Sequence, residues 1–163
     1  MATSNKNLSE FSKASIPSAS PFTFGIVASE WNSEITTALE SGAKKTLLDC
    51  GAREINVHTH WVPGSFELPI AAKMLIESGD FDAVIAIGSV IKGETDHFDF
   101  VCQAVSQGVK DVNLSTGVPV IFCVLTDNNL QQAKERSGGK HGNKGIEAAV
   151  AAVKMAALRK KLR

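Results

Sequence analysis

The stretch "AVIAIGSVIKGETDHFDF", Ala83 to Phe100, decides how this chain folds. It opens with an unbroken apolar run, the pattern of a buried strand. Small and charged residues follow, and from Asp96 onward apolar residues return at the three- and four-residue spacing of a helix. The stretch therefore predicts a strand that leads through a polar turn into a helix.

The same alternation of strand and helix continues on both sides of this stretch. Strands are predicted at "FTFGIVAS" (Phe22–Ser29), "REINVHTHW" (Arg53–Trp61) and "VPVIFCVLT" (Val118–Thr126). Helical periodicity follows each strand, and a last helix is predicted over Ile146–Leu162. Strands that alternate with helices imply parallel pairing and helices on both sheet faces, so a doubly wound α/β sandwich is expected.

Polar residues mark where the helices should begin. Asn32 is predicted to cap the first helix, Ser65 the second and Asp96 the third, while Asp127 or Asn128 would cap a short helix before the Gly-rich joint "SGGKHGNKG". The period of two in "REINVHTHW" places His58 and His60 on one face, which is typical of an edge strand.

Length and composition indicate one soluble domain. The 163 residues are 44% hydrophobic and 21% charged, close to the average for globular proteins, and no apolar stretch approaches the ~20 residues that a bilayer span needs. Basic and acidic residues both number 17, so no overall field attracts nucleic acid or an anionic membrane. Neither partner is expected.

The cysteines and the N-terminus bear on the compartment. Cys50, Cys102 and Cys123 are odd in number and show no CxxC spacing, which favours reduced thiols and a cytoplasmic protein. Residues 1–21 are Ser-rich and lack the apolar core of a secretion signal, so a flexible tail is expected before a domain over residues 22–163. The cations of the terminal "RKKLR" are better explained by the negative end of a helix dipole than by binding of nucleic acid.

Ligands of doubly wound sheets bind at the carboxyl ends of the strands. The segments there are "SEWN", "VPGSFE", "GSVIKGETDH" and "LTDNN". If Asp96 caps the third helix, the amides around Gly93 to His97 point outward at its positive end, ready to bind phosphate. His97 beside them is either a proton-transfer group or an ordinary exposed residue of a first turn.

Several familiar chemistries have no motif here. No GxxxxGK[ST] or GxGxxG follows the first strand, and neither a GxSxG elbow nor a Cys/His zinc set occurs. His58 and His60 lack a further ligand at metal spacing, so no metal is predicted. The kinds of catalysis that remain are substrate positioning and proton transfer.

Four motifs together resemble the lumazine synthase family. They are "VPGSFELP", "GSVIKGETDHFDFVC", "VPVIFCVLT" and "ERSGGKHGNKGIEAA", in the family's order, and the match runs from about Phe22 to the C-terminus. The resemblance implies a flavodoxin-like fold and a reaction without a cofactor or metal. It also implies condensation of 5-amino-6-(D-ribitylamino)uracil with 3,4-dihydroxy-2-butanone 4-phosphate, giving 6,7-dimethyl-8-ribityllumazine, phosphate and water, the penultimate step of riboflavin biosynthesis.

Site residues follow from the resemblance, position by position. His97 falls on the family's proton-transfer histidine. Contacts to the pyrimidine and ribityl chain are implied for Trp31, Ser65, Phe66, Glu67, Ser89, Val90, Ile91, Phe122 and Lys144, with Glu147 close by. Contacts to the butanone phosphate are implied for Gly93, Glu94, Thr95 and Arg136. Phe122 and Arg136 would reach the pocket from a neighbouring subunit.

Departures from the commonest family pattern are mild. Ser89 stands where Thr is frequent, Lys92 where Arg is frequent and Asp96 where Thr is frequent, and each keeps the hydroxyl, cation or capping oxygen. The resemblance also implies a homopentamer, and the short joint "SGGKHGNKG" favours a shell of sixty subunits. Riboflavin synthase is a candidate partner.

Two other functions remain open on the same scaffold. Stacking aromatics and a phosphate-ready helix start would also serve a non-catalytic flavin or lumazine binder. A shell-forming protein without activity is the second alternative. His97 together with Arg136 favours the enzyme.

Overall fold

A parallel sheet forms the centre of the protein, whose computed structural model describes residues 7, 9–12 and 15–163. Its strands are β1 (Phe24–Ser29), β2 (Val57–Val62), β3 (Ala83–Ile91) and β4 (Val120–Asp127), in the order β2-β1-β3-β4. All neighbouring pairs are parallel, and residue 91 of β3 lies opposite residue 127 of β4. The predicted doubly wound, flavodoxin-like sheet is confirmed.

Helices cover both faces of this sheet. They are α1 (Ser33–Asp49), α2 (Leu68–Ser78), α3 (His97–Thr116), α4 (Leu130–Arg136) and α5 (Lys144–Leu162). One apolar cluster joins α1 and α5 to the sheet, and a second joins α2 and α3 to the opposite face. Among the residues described, no helix combines the length and apolarity needed to cross a membrane.

Burial separates the central strands from the edge. Every residue of β1 and the first seven of β3 are buried, and their side chains alternate between the two clusters. Ile26 and Ile85 join the cluster beneath α1 and α5, while Val27 joins the one beneath α2 and α3. β2 lies at the sheet's edge with His58 and His60 exposed, as its period of two predicts.

Two helix starts differ from the predicted capping. Asn32 has a left-handed backbone (φ 57°), and its side chain donates a 2.9 Å hydrogen bond to the Ser89 carbonyl instead of capping α1. Asp96 adopts helical angles (φ −68°, ψ −1°), and its side chain makes no capping bond within the part of the chain that is described. Both caps were therefore wrong as side-chain contacts, although α1 and α3 begin where predicted.

The other two capping predictions also fail. A 3₁₀ turn over Ser65–Glu67 leads into α2, so Ser65 lies upstream of the helix start rather than at it. Asn129 caps α4, since its side chain accepts a 2.9 Å bond from the Gln132 amide. Asp127 is instead the last residue of β4, because the strand continues past the turn signal in "LTDNN".

The predicted Gly-rich joint is a small hairpin of β5 (Ser137–Gly139) and β6 (Gly142–Asn143). Asn143 fixes it against α1. Its side-chain amide donates to the Ala38 carbonyl at 2.8 Å, and its side-chain oxygen accepts from the Gly145 amide at 2.8 Å. Because Asn143 also caps α5, one side chain sets the approach of α5 to α1.

That approach leaves no room for a side chain at Gly145. A Cβ there would collide with the Leu39 carbonyl oxygen and lie 2.8 Å from the carbonyl carbon. Backbone atoms of a packed helix cannot rotate away, so Gly145→Ala is expected to lower the free energy of unfolding by about 1–3 kcal/mol. Urea unfolding at fixed protein concentration measures it. Gly79→Ala is the control, since its Cβ would lie 3.5 Å from Phe81; equal losses in both variants would contradict the argument.

The segment before β1 packs on the core in part. Ala19 is fully buried, and its amide donates a 2.9 Å hydrogen bond to the Cys50 carbonyl. The side-chain hydroxyl of Ser9 accepts from the Asn143 amide at 3.0 Å. Residues 1–6, 8 and 13–14 of the expected tail lie outside the described residues, so the flexible tail stays a prediction.

Cys123 lies on β4 and is fully buried. Burial raises the pKa of its thiol to about 12, an effect that nearby Lys144 opposes and Glu147 adds to. Because the thiolate is the reactive species, iodoacetamide at pH 8 is expected to modify Cys123 at least ~100-fold more slowly in the native protein than in urea. Peptide mass mapping of timed samples measures both rates, and similar rates in the two states would show that the thiol is accessible.

Candidate active site

A cavity of about 670 Å³ opens at the carboxyl ends of the strands, where the topology predicts ligand binding. It receives residues from the segments after β1, β2 and β3. They are Trp31, Asn32, Gly64, Ser65, Phe66, Glu67, Ser89, Val90, Ile91, Gly93, Thr95, His97, Phe98 and Val101. The volume is within the range of small-molecule sites.

Main-chain hydrogen bonds fix the base of the cavity. The Glu30 amide donates to the Val62 carbonyl at 2.7 Å, and the Trp31 amide to the Pro63 carbonyl at 3.2 Å. The Asn32 side chain joins the loop after β1 to Ser89 on β3. Ser89 is 1% exposed, and its hydroxyl finds no hydrogen-bond partner among the described residues. These bonds join the segments after β1 and β2 to β3, with the Ser89 hydroxyl buried among them.

Two aromatic side chains wall the cavity. Trp31 is 72% exposed and Phe66 is 61% exposed, although both are large apolar groups. Trp31 follows β1, and Phe66 lies in the 3₁₀ turn that precedes α2. Exposed aromatic faces beside a pocket are typical of sites that stack a flat ring.

The start of α3 forms the polar end of the cavity. Gly93, Thr95 and His97 line it, and α3 continues for 20 residues behind them. Because the Asp96 side chain does not cap this helix, it does not compete for the first-turn amides, which sit at the positive end of the dipole. An anion such as a phosphate group fits this end.

Four predicted site residues lie outside the cavity that a single chain forms. Glu94 is exposed between two lining residues, and Phe122 is 38% exposed on the edge strand β4. Lys144 begins α5, and its ammonium group lies 2.6 Å from the Glu147 carboxylate. Arg136 ends α4. The other ten predicted residues line the cavity together.

Arg136 has a buried acidic neighbour. Its Nε lies 3.7 Å from Oδ1 of Asp127, whose side chain is 7% exposed. Burial raises the pKa of the Asp127 carboxyl, and the Arg136 charge lowers that pKa in part. The pair stands at the end of β4, directly opposite Ile91 of the cavity.

The sequence-based prediction missed four lining residues. Asn32 was expected as a cap, and Gly64 was passed over inside "VPGSFE", although both segments were selected by the rule of strand ends. Phe98 and Val101 follow His97 on α3 and were assigned to its apolar face. The four-residue spacing of His97 and Val101 was the available signal, because residues so spaced share one helix face.

Aromatic walls, a buried polar base and an uncapped helix start define a class of site. It is a site for a flat polar ring together with an anionic group, on a doubly wound α/β domain. The chain belongs to the 6,7-dimethyl-8-ribityllumazine synthase family, whose model matches residues 21–160.

Curated relatives carry the family's name over nearly the whole chain. The 6,7-dimethyl-8-ribityllumazine synthase of Flavobacterium johnsoniae is 59% identical, covering 98% of this chain and 84% of its own. That of Christiangramia forsetii is 56% identical over 98% of this chain and 96% of its own. That of Porphyromonas gingivalis is 51% identical over 97% and 98%. The predicted family is confirmed, and with it the prediction of an enzyme.

Proposed function

We propose that this cavity condenses 5-amino-6-(D-ribitylamino)uracil with 3,4-dihydroxy-2-butanone 4-phosphate to give 6,7-dimethyl-8-ribityllumazine, phosphate and two molecules of water. The chain would then be a transferase of riboflavin biosynthesis, as its family indicates. The observation that carries the proposal is the meeting of Trp31, Phe66 and His97 in one cavity. The non-catalytic alternative is less favoured, since the relatives are named as synthases.

The two ends of the cavity suit the two substrates. Trp31 and Phe66 would stack on the uracil ring, while Ser65, Glu67 and Ser89 would contact the ribityl hydroxyls and ring amides. The start of α3, at Gly93 and Thr95, would hold the phosphate. In this arrangement the butanone carbonyl would lie between the uracil amino group and His97.

The reaction begins when the 5-amino group attacks the butanone carbonyl. The carbinolamine that forms loses water to give an imine. His97 would carry the protons, giving one to the carbinolamine hydroxyl that leaves and accepting one from the nitrogen. The exposure of His97 at the cavity wall allows it to exchange these protons with water.

A proton is next lost from the hydroxyl-bearing carbon beside the imine, and the electrons of the resulting enamine expel phosphate. The helix start would stabilise the phosphate charge as its bond to carbon breaks. Tautomerisation then exposes a second carbonyl, which the ribitylamino nitrogen attacks to close the ring with loss of water. Both substrates are intrinsically reactive, so holding them in register supplies much of the rate.

A homopentamer would complete the site. Phe122, Arg136 and Lys144 lie outside the cavity of their own chain, and a neighbour placed against it would supply them. Exposed apolar side chains favour such contacts, among them Ile70 at 55% and Met74 at 62% exposed on α2. A shell of sixty subunits, a cytoplasmic location and riboflavin synthase as a partner belong to the same proposal. Mass photometry of the purified protein tests the assembly.

Mixing both substrates with the protein tests the reaction. Lumazine fluorescence and released phosphate are followed together, and they are expected to rise in equal amounts. A flavin or lumazine binder would bind a fluorescent ligand but release no phosphate. Phosphate release without the fluorescent product would also contradict the proposal, because the substrate would then be breaking down alone.

A further inference from the structure

We propose that Asp127 is a positioning residue that holds Arg136 so that its guanidinium faces the substrate phosphate. The inference rests on the proposed function, together with the phosphate contact across a subunit boundary that the family resemblance implies for Arg136. The two residues come from separate elements, the end of β4 and the last turn of α4. Their contact joins Oδ1 of Asp127 to Nε of Arg136 at 3.7 Å.

The backbone of Asp127 is fixed by the sheet. Asp127 pairs with Ile91 in the parallel ladder of β3 and β4. Its carbonyl also accepts a 2.9 Å hydrogen bond from the Lys92 amide, one residue before Gly93 of the phosphate end. The carboxylate therefore has a fixed anchor in its own sheet, from which it can hold Arg136 toward the cavity of a neighbouring subunit.

The burial of this carboxylate is otherwise unfavourable. The Asp127 side chain is 7% exposed, and its Oδ2 has no hydrogen-bond partner among the residues described. Desolvation raises the pKa of the group, and Arg136 is the cation that opposes this rise. Removing a carboxylate from water is strongly unfavourable unless it is paired. A neutral side chain would fill the same place at less cost, so a role for the charge is indicated.

The ion pair restrains the Arg136 side chain. Its side chain is long and flexible, remains 35% exposed, and ends a helix of only seven residues. An arginine held through Nε keeps its two terminal amino groups available for the planar, two-point contact that phosphate prefers. Restraining Nε before the substrate arrives also lowers the entropy lost on binding.

Positioning and simple electrostatics predict opposite effects for Asp127→Asn. Removing a negative charge beside the phosphate site should tighten anion binding if charge alone matters. If Asp127 positions Arg136, the same substitution should weaken anion binding. The sign of the change therefore separates the two explanations.

The test compares wild type, Asp127→Asn, Arg136→Ala and the double variant. Asp127→Asn is expected to raise the KM for the butanone phosphate about ten-fold, because one charge-assisted contact between Arg136 and the phosphate would be lost. The KM for the pyrimidine should be unchanged. In the Arg136→Ala background the same substitution should have no further effect, because Asp127 acts through Arg136. Inorganic phosphate, as a competing ligand measured by calorimetry, should lose affinity in parallel.

Glu34→Gln is the matched control. Glu34 on α1 forms a 2.9 Å ion pair with Lys134, which lies on α4 together with Arg136. The variant therefore removes an acidic partner of α4 without changing a partner of Arg136. It should leave both KM values unchanged. Asp127→Ser provides a second, smaller variant if Asp127→Asn is unstable, and circular dichroism shows which variants are folded.

The outcomes are distinct. An unchanged or lower KM for the phosphate substrate in the folded variants would overturn the positioning role, as would equal losses for both substrates or a full additional loss in the double variant. A wild-type protein that forms no lumazine would overturn the proposed function instead. The calorimetric affinity for inorganic phosphate would then still decide whether Asp127 acts through Arg136.

Discussion

His97→Ala is expected to lower kcat by about 10- to 1,000-fold, because proton transfer by a positioned side chain is one part of the acceleration. Substrate positioning by the cavity and the start of α3 would remain and account for the residual rate. The KM values of both substrates should change little. Steady-state kinetics with lumazine fluorescence measures each parameter separately.

Three comparisons make the His97 result specific. Added imidazole should restore part of the lost rate, since it can enter the space that the exposed side chain leaves. His60→Ala, an exposed histidine on β2 outside the cavity, should keep wild-type kinetics. Particle mass should be the same in all variants. Full activity in a correctly assembled His97→Ala protein would exclude the histidine from the mechanism.

Patterns of apolar residues were sufficient to predict the sheet and its helices. The buried runs in β1 and β3 are apolar except at Ser29 and Ser89, because those strands are covered on both faces. β2 alternates because it lies at the edge. The rule that ligands bind at strand ends selected four segments. Three of them form the cavity, while "LTDNN" after β4 provides none of its lining residues. The position of the cavity in the fold was therefore predictable from apolar periodicity together with this rule.

Local chemistry could not predict the side-chain contacts. Asn32 and Asp96 have the residue types of helix caps. The Asn32 side chain instead donates a hydrogen bond to the Ser89 carbonyl, and the helical backbone angles of Asp96 do not suit a capping contact. Asn129 caps α4 only because β4 runs as far as Asp127. Such choices depend on tertiary neighbours that the chain brings together from far apart in sequence.

The roles of Phe122, Arg136 and Lys144 were predicted from the family resemblance alone. On one chain, an exposed Phe on an edge strand and an ion pair at the start of α5 have ordinary structural explanations. Geometry separates them from the cavity, so a single subunit cannot test what they do. Kinetics of the assembled protein can.

Arg136→Ala is expected to raise the KM for the butanone phosphate by about 10- to 100-fold, with little change in the KM for the pyrimidine. The guanidinium would supply two charge-assisted contacts to phosphate, and the helix start alone would retain the rest of the affinity. Arg136→Lys is the matched variant. It keeps the charge but loses the planar two-point contact, so its KM should fall between those of wild type and Arg136→Ala. Equal effects on both substrates would contradict a phosphate role.

Mixed assembly then decides which subunit provides Arg136. If each site takes His97 from one chain and Arg136 from its neighbour, co-refolding equal amounts of His97→Ala and Arg136→Ala subunits should regenerate about one quarter of the wild-type sites. The regenerated activity should show the wild-type KM for phosphate. If both residues act within one chain, every site carries one defect and no wild-type activity returns. That result would place Arg136 beside its own cavity and remove the argument for a shared site.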